Sequence, residues 1–229
     1  MSMRFPIDHH FLSQARTALS DRNKLYWILG GAGSGKSTIC QALSTRYGLP
    51  VYDMDAHIYE DYHSRFTASR HPVNWAWSTS ENGLAWLLDM SWEEFNSFNQ
   101  AAIPEYLDLL AFDLQAIKPE KGLLIDGGVC NPAILAQAIP TRQMVCLAAA
   151  DGSSARLWEE SQERLPMKAA VETLPNPEAA WRKFLEFDQR INATILKECL
   201  ESEIPLCLRE AGESIEDVAG RVAILLGVA

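Results

Sequence analysis

Short apolar runs alternate with amphipathic stretches along most of the chain. The apolar runs, each flanked by turn residues, lie at 25–29, 50–54, 122–126, 144–148 and 204–208. Such short, nearly continuous runs are typical of strands buried on both faces of a parallel sheet. Apolar positions three and four residues apart predict one helix through 184–199, behind Asn176 and Pro177, and another after Ser214 as N-cap. The pattern predicts an α/β fold, a three-layer doubly wound sheet of about five parallel strands.

One interval, residues 58–118, does not follow this alternation. It is rich in aromatic residues and contains a capping-box pattern from Ser91 to Glu94, which predicts the start of a helix. The chain has 229 residues, which exceeds the roughly 150 of an average domain. We therefore expect one domain over 1–229 with a helical, acceptor-binding insertion at 58–118. Its aromatic side chains are expected mainly to form its core, with one or two beside the acceptor.

The segment LYWILGGAGSGKST carries the strongest functional pattern, the Walker A spacing of two glycines, a lysine and a serine. It lies between a predicted strand and a predicted helix, the context that the motif requires. In such a loop backbone N–H groups and the helix N-terminus converge on a phosphate. We expect Lys36 to bridge the β- and γ-phosphates and Ser37 to ligate Mg²⁺. The predicted nucleotide-binding residues are Gly30, Gly31, Ala32, Gly33, Ser34, Gly35, Lys36, Ser37 and Thr38.

Two aspartates, Asp53 and Asp55, stand at the end of the second predicted strand. Residues at the carboxyl ends of parallel strands line the same crevice as the phosphate-binding loop. Strand alternation would project both carboxylates to one side, with Met54 on the other. One carboxylate can then orient Mg²⁺ through water while the other accepts a proton from an attacking hydroxyl. The alternative is a solvated turn in which an aspartate caps a helix.

These motifs, in this order, resemble the small phosphate-loop kinases, which include shikimate kinase, gluconate kinase, dephospho-coenzyme A kinase and the nucleoside monophosphate kinases. The likeness to shikimate kinase runs from about residue 24 to the C-terminus and includes a glycine pair, Gly127 and Gly128, after the third strand. The resemblance implies a P-loop NTPase fold of the nucleoside monophosphate kinase type, with ATP and Mg²⁺ as cofactors. It assigns Asp53 to Mg²⁺, Asp55 to the acceptor hydroxyl as candidate base, and the glycine pair to the acceptor.

The resemblance also implies roles for three arginines. Arg156 would lie beside the adenine, and Arg164 would reach the phosphates when a lid at 164–177 closes. Related kinases often carry an acceptor-binding arginine on the helix before the last strand, where Arg190 stands. Lys168 is a second lid cation that closure would bring toward the γ-phosphate.

Two features depart from the shikimate kinase pattern. Asp126 stands where that family would have a third glycine, so the strand also resembles a Walker B strand, and we expect Asp126 to share the metal with Asp53. The resembled kinases do not account for the insertion at 58–118, so the resemblance does not identify the substrate of this chain. Arg65 and Arg70, near the start of the insertion, are candidates to pair with an anionic acceptor.

The composition narrows the possible partners. With 48% hydrophobic and 22% charged residues the chain is an ordinary globular protein, not a disordered or disulfide-dense one. The net charge of −10 disfavours nonspecific binding to nucleic acid or an anionic membrane. Five isolated cysteines indicate reduced core residues, and no apolar run reaches a membrane span. We expect a cytoplasmic monomer or homodimer that binds a small-molecule acceptor.

The leading functional hypothesis is ATP-dependent phosphoryl transfer from Mg-ATP to a hydroxyl or phosphate of a small molecule, with Lys36, Asp55 and Arg164 as catalytic residues. The alternative is a nucleotide-binding ATPase or switch protein whose helical insertion binds a protein partner. A third reading is a degenerate kinase fold kept as a binding module. The aspartate pair favours the first hypothesis, because a switch needs no acceptor base.

Overall fold

Five parallel strands form the centre of the fold in the computed structural model of the chain, which describes residues 5–19, 22, 24–117, 121–149, 158, 161–210 and 212–228. The strands are β1 Leu25–Leu29, β2 Val51–Asp53, β3 Leu123–Asp126, β4 Met144–Ala149 and β5 Leu206–Arg209. They lie in the order β2-β3-β1-β4-β5, and every neighbouring pair is parallel. Each strand falls on one of the predicted apolar runs, so the predicted parallel sheet is confirmed.

The strand order places a crevice at the centre of the sheet. The chain leaves β1 for the edge strand β2, returns to β3 beside β1, and then crosses to β4 on the other side. Connections that leave neighbouring strands in opposite directions open a crevice at the carboxyl ends of those strands. In the register of the sheet Ile28 lies beside Asp126, and Asp126 lies beside Asp53. The sheet therefore brings these two aspartates next to each other at the crevice.

The helices vary from a single turn to 25 residues. They are α1 His9–Leu19, α2 Lys36–Tyr47, α3 Met54–Ala56, α4 Pro72–Ser78, α5 Gly83–Asp89, α6 Trp92–Ala116, α7 Pro132–Leu135, α8 Leu165–Glu172, α9 Pro177–Glu201 and α10 Ile215–Leu226. A π-helical turn lies at His57–Asp61, and 3₁₀ turns lie at Tyr62–Ser64, Thr141–Gln143 and Gln162–Arg164. Within the part of the chain that the structure describes, no helix has both the length and the apolar character to cross a membrane.

Helices cover both faces of the sheet, which produces the three predicted layers. Helices α2 and α10 pack on one face, where Ile28 meets Leu43. Helices α1, α6 and α9 cover the other face, where Trp27 and Ile195 belong to the larger core. Trp27 is fully buried, and its Nε1 donates a hydrogen bond to the carbonyl oxygen of Gly127 at 2.8 Å. This bond fixes the turn after β3 against the central strand.

Residues 58–118 contribute the π-helical turn, α4, α5 and α6. The predicted capping box is present: Ser91 Oγ accepts from the Glu94 N–H, and the Glu94 carboxylate accepts from the Ser91 N–H. On α6, the buried carboxylate of Glu105 accepts from the N–H groups of Val73 and Asn74 at 3.0 and 2.8 Å. It thereby supplies hydrogen-bond acceptors to the N–H groups in the first turn of α4, which lie inside the core. The insertion is thus a packed helical layer held to itself by buried polar contacts.

Candidate functional site

The glycine-rich loop connects β1 to α2. Gly30, Gly33 and Gly35 have positive φ angles of 141°, 77° and 89°, which side-chain-bearing residues rarely adopt. Gly35 is the N-cap of α2, and as a glycine it supplies no side chain to accept from the first-turn N–H groups of this helix. The side chains of Ser37 and Thr38 are exposed there. The loop therefore presents an uncapped, partially positive helix end at the crevice.

Helix α9 is docked directly against this loop. A Cβ atom on Gly31 would overlap Oδ1 of Asn192, and a Cβ on Gly30 would overlap the carbonyl oxygen of Leu147. Asn192 in turn donates from Nδ2 to Asp188 Oδ2 at 3.4 Å. A larger residue at position 31 would therefore displace the Asn192 amide from its place against the loop. The sequence analysis missed Asn192 and Asp188, because a polar residue on a long helix gives no indication of what it contacts.

Lys36 and Asp55 meet at the turn after β3. Nζ of Lys36 donates to the carbonyl oxygen of Gly31 at 3.1 Å, and Asp55 Oδ1 accepts from the N–H of Gly128 at 3.1 Å. A Cβ on Gly127 would overlap Asp55 Oδ2 and would lie 3.4 Å from Cε of Lys36. Only a glycine lets the lysine and the carboxylate approach the same stretch of backbone. The structure thus brings together Lys36, Asp55, Gly127 and Gly128, which the sequence analysis had selected separately.

Opposing influences set the protonation of Asp55. Its carboxylate is open to a cavity but surrounded by protein, and this desolvation raises the pKa of Asp55. The charge of Lys36 lowers the pKa, the charges of Asp126 and Asp53 raise it, and the hydrogen bond from Gly128 lowers it. A carboxyl with a raised pKa that keeps a cationic neighbour is suited to accept a proton from a bound hydroxyl.

Asp126 is the most buried carboxylate of the site, with 4% of its surface exposed. Burial raises its pKa, a hydrogen bond from the Ser37 hydroxyl and the charge of Lys36 lower it, and the charge of Asp53 raises it. Among the residues that the structure describes, none donates a hydrogen bond to Oδ1 of Asp126. An unpartnered buried carboxylate oxygen is costly, so its position indicates a place where a cation or an ordered water completes the site.

Asp53 differs from the expectation based on strand alternation. Strand β2 ends at Asp53, whose Oδ1 accepts from the Ala56 N–H at 2.9 Å and so caps the short helix α3. Asp55 therefore lies on a helical turn, and Met54 is fully buried beneath Gly128. The prediction that β-strand periodicity orients both carboxylates is wrong, and Asp53 adopts the capping role that the alternative described. Asp53 remains beside Asp126 through the strand register.

A cavity of about 670 Å³ opens from the glycine-rich loop into the insertion. Its loop end contains Lys36, Ser37, Asp55 and the glycine pair. Its far walls come from the π-helical turn, α5, α6, α8 and α9, and are mainly apolar and aromatic; they include Ile58, Leu87, Phe95, Ile103, Phe184 and Phe187. The sequence analysis expected an acceptor pocket formed with the insertion but could not select these positions. They are ordinary apolar residues in the sequence.

The predicted arginines occupy different places. Arg156 lies outside the described residues. Arg164 lines the cavity, and its guanidinium lies over the Trp158 ring, 4.3 Å from the centroid. Trp158 packs edge-on against Phe184, which precedes Asn192 by eight residues on α9. At about 1.5 Å per helical residue, Phe184 lies about 12 Å along α9 from Asn192, the residue of α9 that contacts the loop. Arg164 would have to move to reach a phosphate at the loop.

Arg190 does not line the cavity, although the resemblance implied an acceptor contact. Its guanidinium pairs with Glu186 at 2.9 Å, one turn away on α9, and lies over the ring of Trp92. Together with Phe187 these residues border a separate shallow cleft. Helical position directs Arg190 to this side, because it lies two residues after Asp188, which does line the cavity.

Arg65 and Arg70 form ion pairs within the insertion. The Arg65 guanidinium donates to both carboxylate oxygens of Asp113, at 2.7 and 3.1 Å. The Arg70 guanidinium donates to both oxygens of Asp108, at 2.7 and 2.8 Å. Neither arginine lines the cavity. They therefore attach the start of the insertion to α6 rather than face an acceptor.

The predicted lid, residues 164–177, contains the helix α8. The sequence lacks a clear apolar period here, which led us to expect weak packing. Most of its side chains are indeed exposed, but Val171 and Leu174 are 0% and 7% exposed and belong to the main core. Arg164 and Met167, ahead of these two anchors, line the cavity. A closing motion would therefore involve the first half of the segment.

Comparison of the chain with known proteins does not identify a family. No protein-family model matches the chain, and no curated protein matches it at a significant level.

Proposed function

We propose that this protein is a P-loop kinase of the nucleoside monophosphate kinase type, which transfers a phosphoryl group from Mg-ATP to a small-molecule acceptor. The observation that carries the proposal is the approach of Lys36 and Asp55 to each other over Gly127, where the glycine-rich loop opens into the cavity. A cation for the phosphates and a carboxylate for the acceptor then stand on either side of the position through which a phosphoryl group would pass.

The loop supports phosphate binding. The uncapped N-terminus of α2 offers N–H donors, and the positive φ angles of Gly30, Gly33 and Gly35 let the backbone turn around an anion. Lys36, which now donates to the Gly31 carbonyl, would instead donate to the β- and γ-phosphates. The exposed Ser37 and Thr38 would face the nucleotide, and Arg156 remains the candidate for the adenine.

The residues present also suit Mg²⁺. Mg²⁺ prefers oxygen ligands and is commonly held by one or two carboxylates together with substrate phosphates and water. The unpartnered Oδ1 of Asp126 and the adjacent Ser37 hydroxyl would hold the ion, with Asp53 beside them in the sheet register. Among the described residues there is no cluster of three or more His, Cys, Asp or Glu side chains suited to a metal, and a phosphate-bound Mg²⁺ does not require one. When bound, the ion would neutralise charge on the phosphates.

In the proposed reaction Asp55 orients the acceptor hydroxyl and accepts its proton. The acceptor oxygen forms a bond to the γ-phosphorus while the bond from that phosphorus to the β,γ-bridging oxygen breaks, and ADP leaves with the electron pair. Gly128 keeps Asp55 in place through its N–H, and Lys36 balances charge on the transferred group. Movement of Arg164 toward the loop would add a second cation and exclude water.

The test is transfer to an acceptor. Purified protein is incubated with a metabolite extract, ATP and Mg²⁺, and each component is examined by mass spectrometry for the gain of one phosphoryl group. We expect one component to gain it, and the same incubation with the Lys36→Ala variant to show none. ADP release that is slow, constant and independent of every added metabolite would instead support the alternative, an ATPase or switch protein.

A further inference from the structure

The cavity walls indicate what kind of acceptor the site takes. Beyond the loop end, the side chains that face the cavity come from the insertion and from α8 and α9, and most are apolar or aromatic. The volume of about 670 Å³ falls within the range of roughly 300–1,000 Å³ that is typical of small-molecule sites. Part of it must hold the transferred phosphoryl group, and the remainder suits an organic body of moderate size.

The charges around the cavity are unevenly distributed. Among the described residues that line it, the cations are Lys36, which contacts the loop, and Arg164, which lies on Trp158. The carboxylates that line it are Asp55 and Asp188. A negatively charged group on the acceptor body would lose its hydration in a mainly apolar space that also contains Asp188, and it would gain a cation only by drawing Arg164 away from the Trp158 ring.

Three of the described arginines that were candidates to pair with an anionic acceptor are held elsewhere. Arg65 and Arg70 each make two hydrogen bonds to a carboxylate of α6, and Arg190 pairs with Glu186 beside a different cleft. Releasing Arg65 would also remove the cation that pairs with Asp113, leaving this carboxylate with the hydroxyl groups of Tyr52 and Tyr62. The fold therefore uses these cations for its own stability.

We propose that the acceptor is an alcohol with an apolar body and no negative charge. The inference deepens the proposed function and rests on it. Its hydroxyl reaches Asp55 at the loop end, while its body lies among apolar side chains such as Leu87, Phe95 and Phe187. The alcohol oxygen becomes the new phosphate-ester oxygen, its proton passes to Asp55 and from there to solvent, and ADP is the leaving group.

A matched pair of probes tests the selectivity of the cavity without requiring turnover. The binding of 6-phenyl-1-hexanol and of 6-phenylhexanoic acid, which share one carbon skeleton, is measured by calorimetry at neutral pH with the full chain. We expect the alcohol to bind at least tenfold more tightly than the acid. Equal binding of the two, or tighter binding of the acid, would overturn the inference.

Two lysine variants locate the binding. Leu87→Lys, on the half-buried cavity wall, and Met167→Lys, on the exposed part of that wall, should each weaken binding of the alcohol and strengthen binding of the acid. Leu200→Lys, on a residue 65% exposed outside the cavity, is the matched control and should change neither. Circular dichroism identifies any variant that fails to fold, and Met167→Lys keeps the test valid if Leu87→Lys does so. Equal effects in the control would show adsorption outside the cavity and overturn the inference.

A second measurement separates this inference from the proposed kinase function. Each probe is incubated with the protein and ATP labelled at the γ-phosphate in the presence of Mg²⁺. Transfer to the alcohol supports both proposals. Transfer to the acid alone overturns the inference and leaves the kinase function standing. The protein could also bind the alcohol selectively at the cavity and yet transfer phosphate to no alcohol of the metabolite extract. That result would overturn the kinase function, and with it the assignment of the ligand as an acceptor.

Discussion

Replacement of Asp126 by asparagine should stabilise the protein while weakening its response to Mg-ATP. Asp126 is 4% exposed, and its Oδ1 accepts no hydrogen bond within the part of the chain that the structure describes. Leaving a buried polar group unsatisfied costs about 1–3 kcal/mol, and more for a charge. The Ser37 hydroxyl and the charge of Lys36 offset part of this cost for Asp126. We therefore expect Asp126→Asn to gain on the order of 1 kcal/mol without ligand, or about 2–4 °C in Tm for a chain of this size.

The stability gained by Asp126→Asn should depend on pH in a direction that follows from the pKa shift of Asp126. Burial raises the pKa of Asp126 above its unfolded value, so the folded state favours the protonated carboxyl. Its contribution to stability is full below the unfolded pKa and is lost as pH rises through the folded pKa. The advantage of Asp126→Asn should therefore be small at acid pH, where Asp126 is neutral in both states, and should grow toward neutral pH.

Thermal unfolding from pH 3 to 8, with and without Mg-ATP, measures both effects. Asp53→Asn is the matched control, because Asp53 is the exposed neighbour of Asp126 and asparagine caps a helix about as well as aspartate. Its Tm without ligand should rise less than that of Asp126→Asn, because this change removes only the repulsion between Asp53 and its neighbouring carboxylates. Mg-ATP should raise the Tm of the wild type more than that of Asp126→Asn. A destabilised Asp126→Asn, or an advantage that does not vary with pH, would refute the reasoning.

Three further outcomes are expected. Lys36→Ala should remove most ATP affinity by calorimetry and lower the Tm slightly, because Nζ of Lys36 donates to the Gly31 carbonyl and its charge favours the ionised forms of Asp55 and Asp126; unchanged ATP binding would contradict the phosphate role. Asp55→Asn should lower transfer by about 10² to 10⁴ while nucleotide affinity is nearly kept, whereas Asp53→Asn should shift the Mg²⁺ requirement; equal small effects would leave both as structural residues. Hydrogen exchange across 164–176 should slow when a nonhydrolysable ATP analogue and Mg²⁺ are added, most clearly ahead of Val171; equal exchange in both states would exclude a lid.

The strands and the glycine-rich loop were predictable because local sequence determines them. In a globular protein a short apolar run that is buried on both faces fits few elements other than a central strand. The Walker A spacing likewise requires a particular backbone path. Helix starts were predictable for the same reason, since Ser91 and Ser214 accept hydrogen bonds from the N–H groups three residues later. The apolar face of α10 was less predictable. Ile215 and Leu225 are exposed and Leu226 is buried, because the packing of α10 against α2 and the sheet sets which side faces inward.

The orientation of the aspartate pair was not predictable, because a strand end is a tertiary property. Asp53 and Asp55 are two residues apart, and their relation depends on whether the strand continues through Met54. The strand stops at Asp53, and burial of Met54 against Gly128 turns the chain into α3. This turn carries the Asp55 carboxylate to the N–H of Gly128, while the Asp53 carboxylate is used as a helix cap.

The selectivity of the cavity depends on contacts between residues that lie far apart in the sequence. Arg65 lies 48 residues from Asp113, and nothing near Arg65 in the chain indicates that α6 will neutralise it. Gly31 likewise lies far from Asn192 in the sequence, yet the Asn192 amide fills the space beside it that a Cβ would occupy. Helix α9 contacts the loop through Asn192 and also lines the cavity with Phe187. A single rigid element therefore sets the distance between the proposed phosphate site and the apolar wall, and substitutions that shift α9 should change nucleotide and acceptor affinities together.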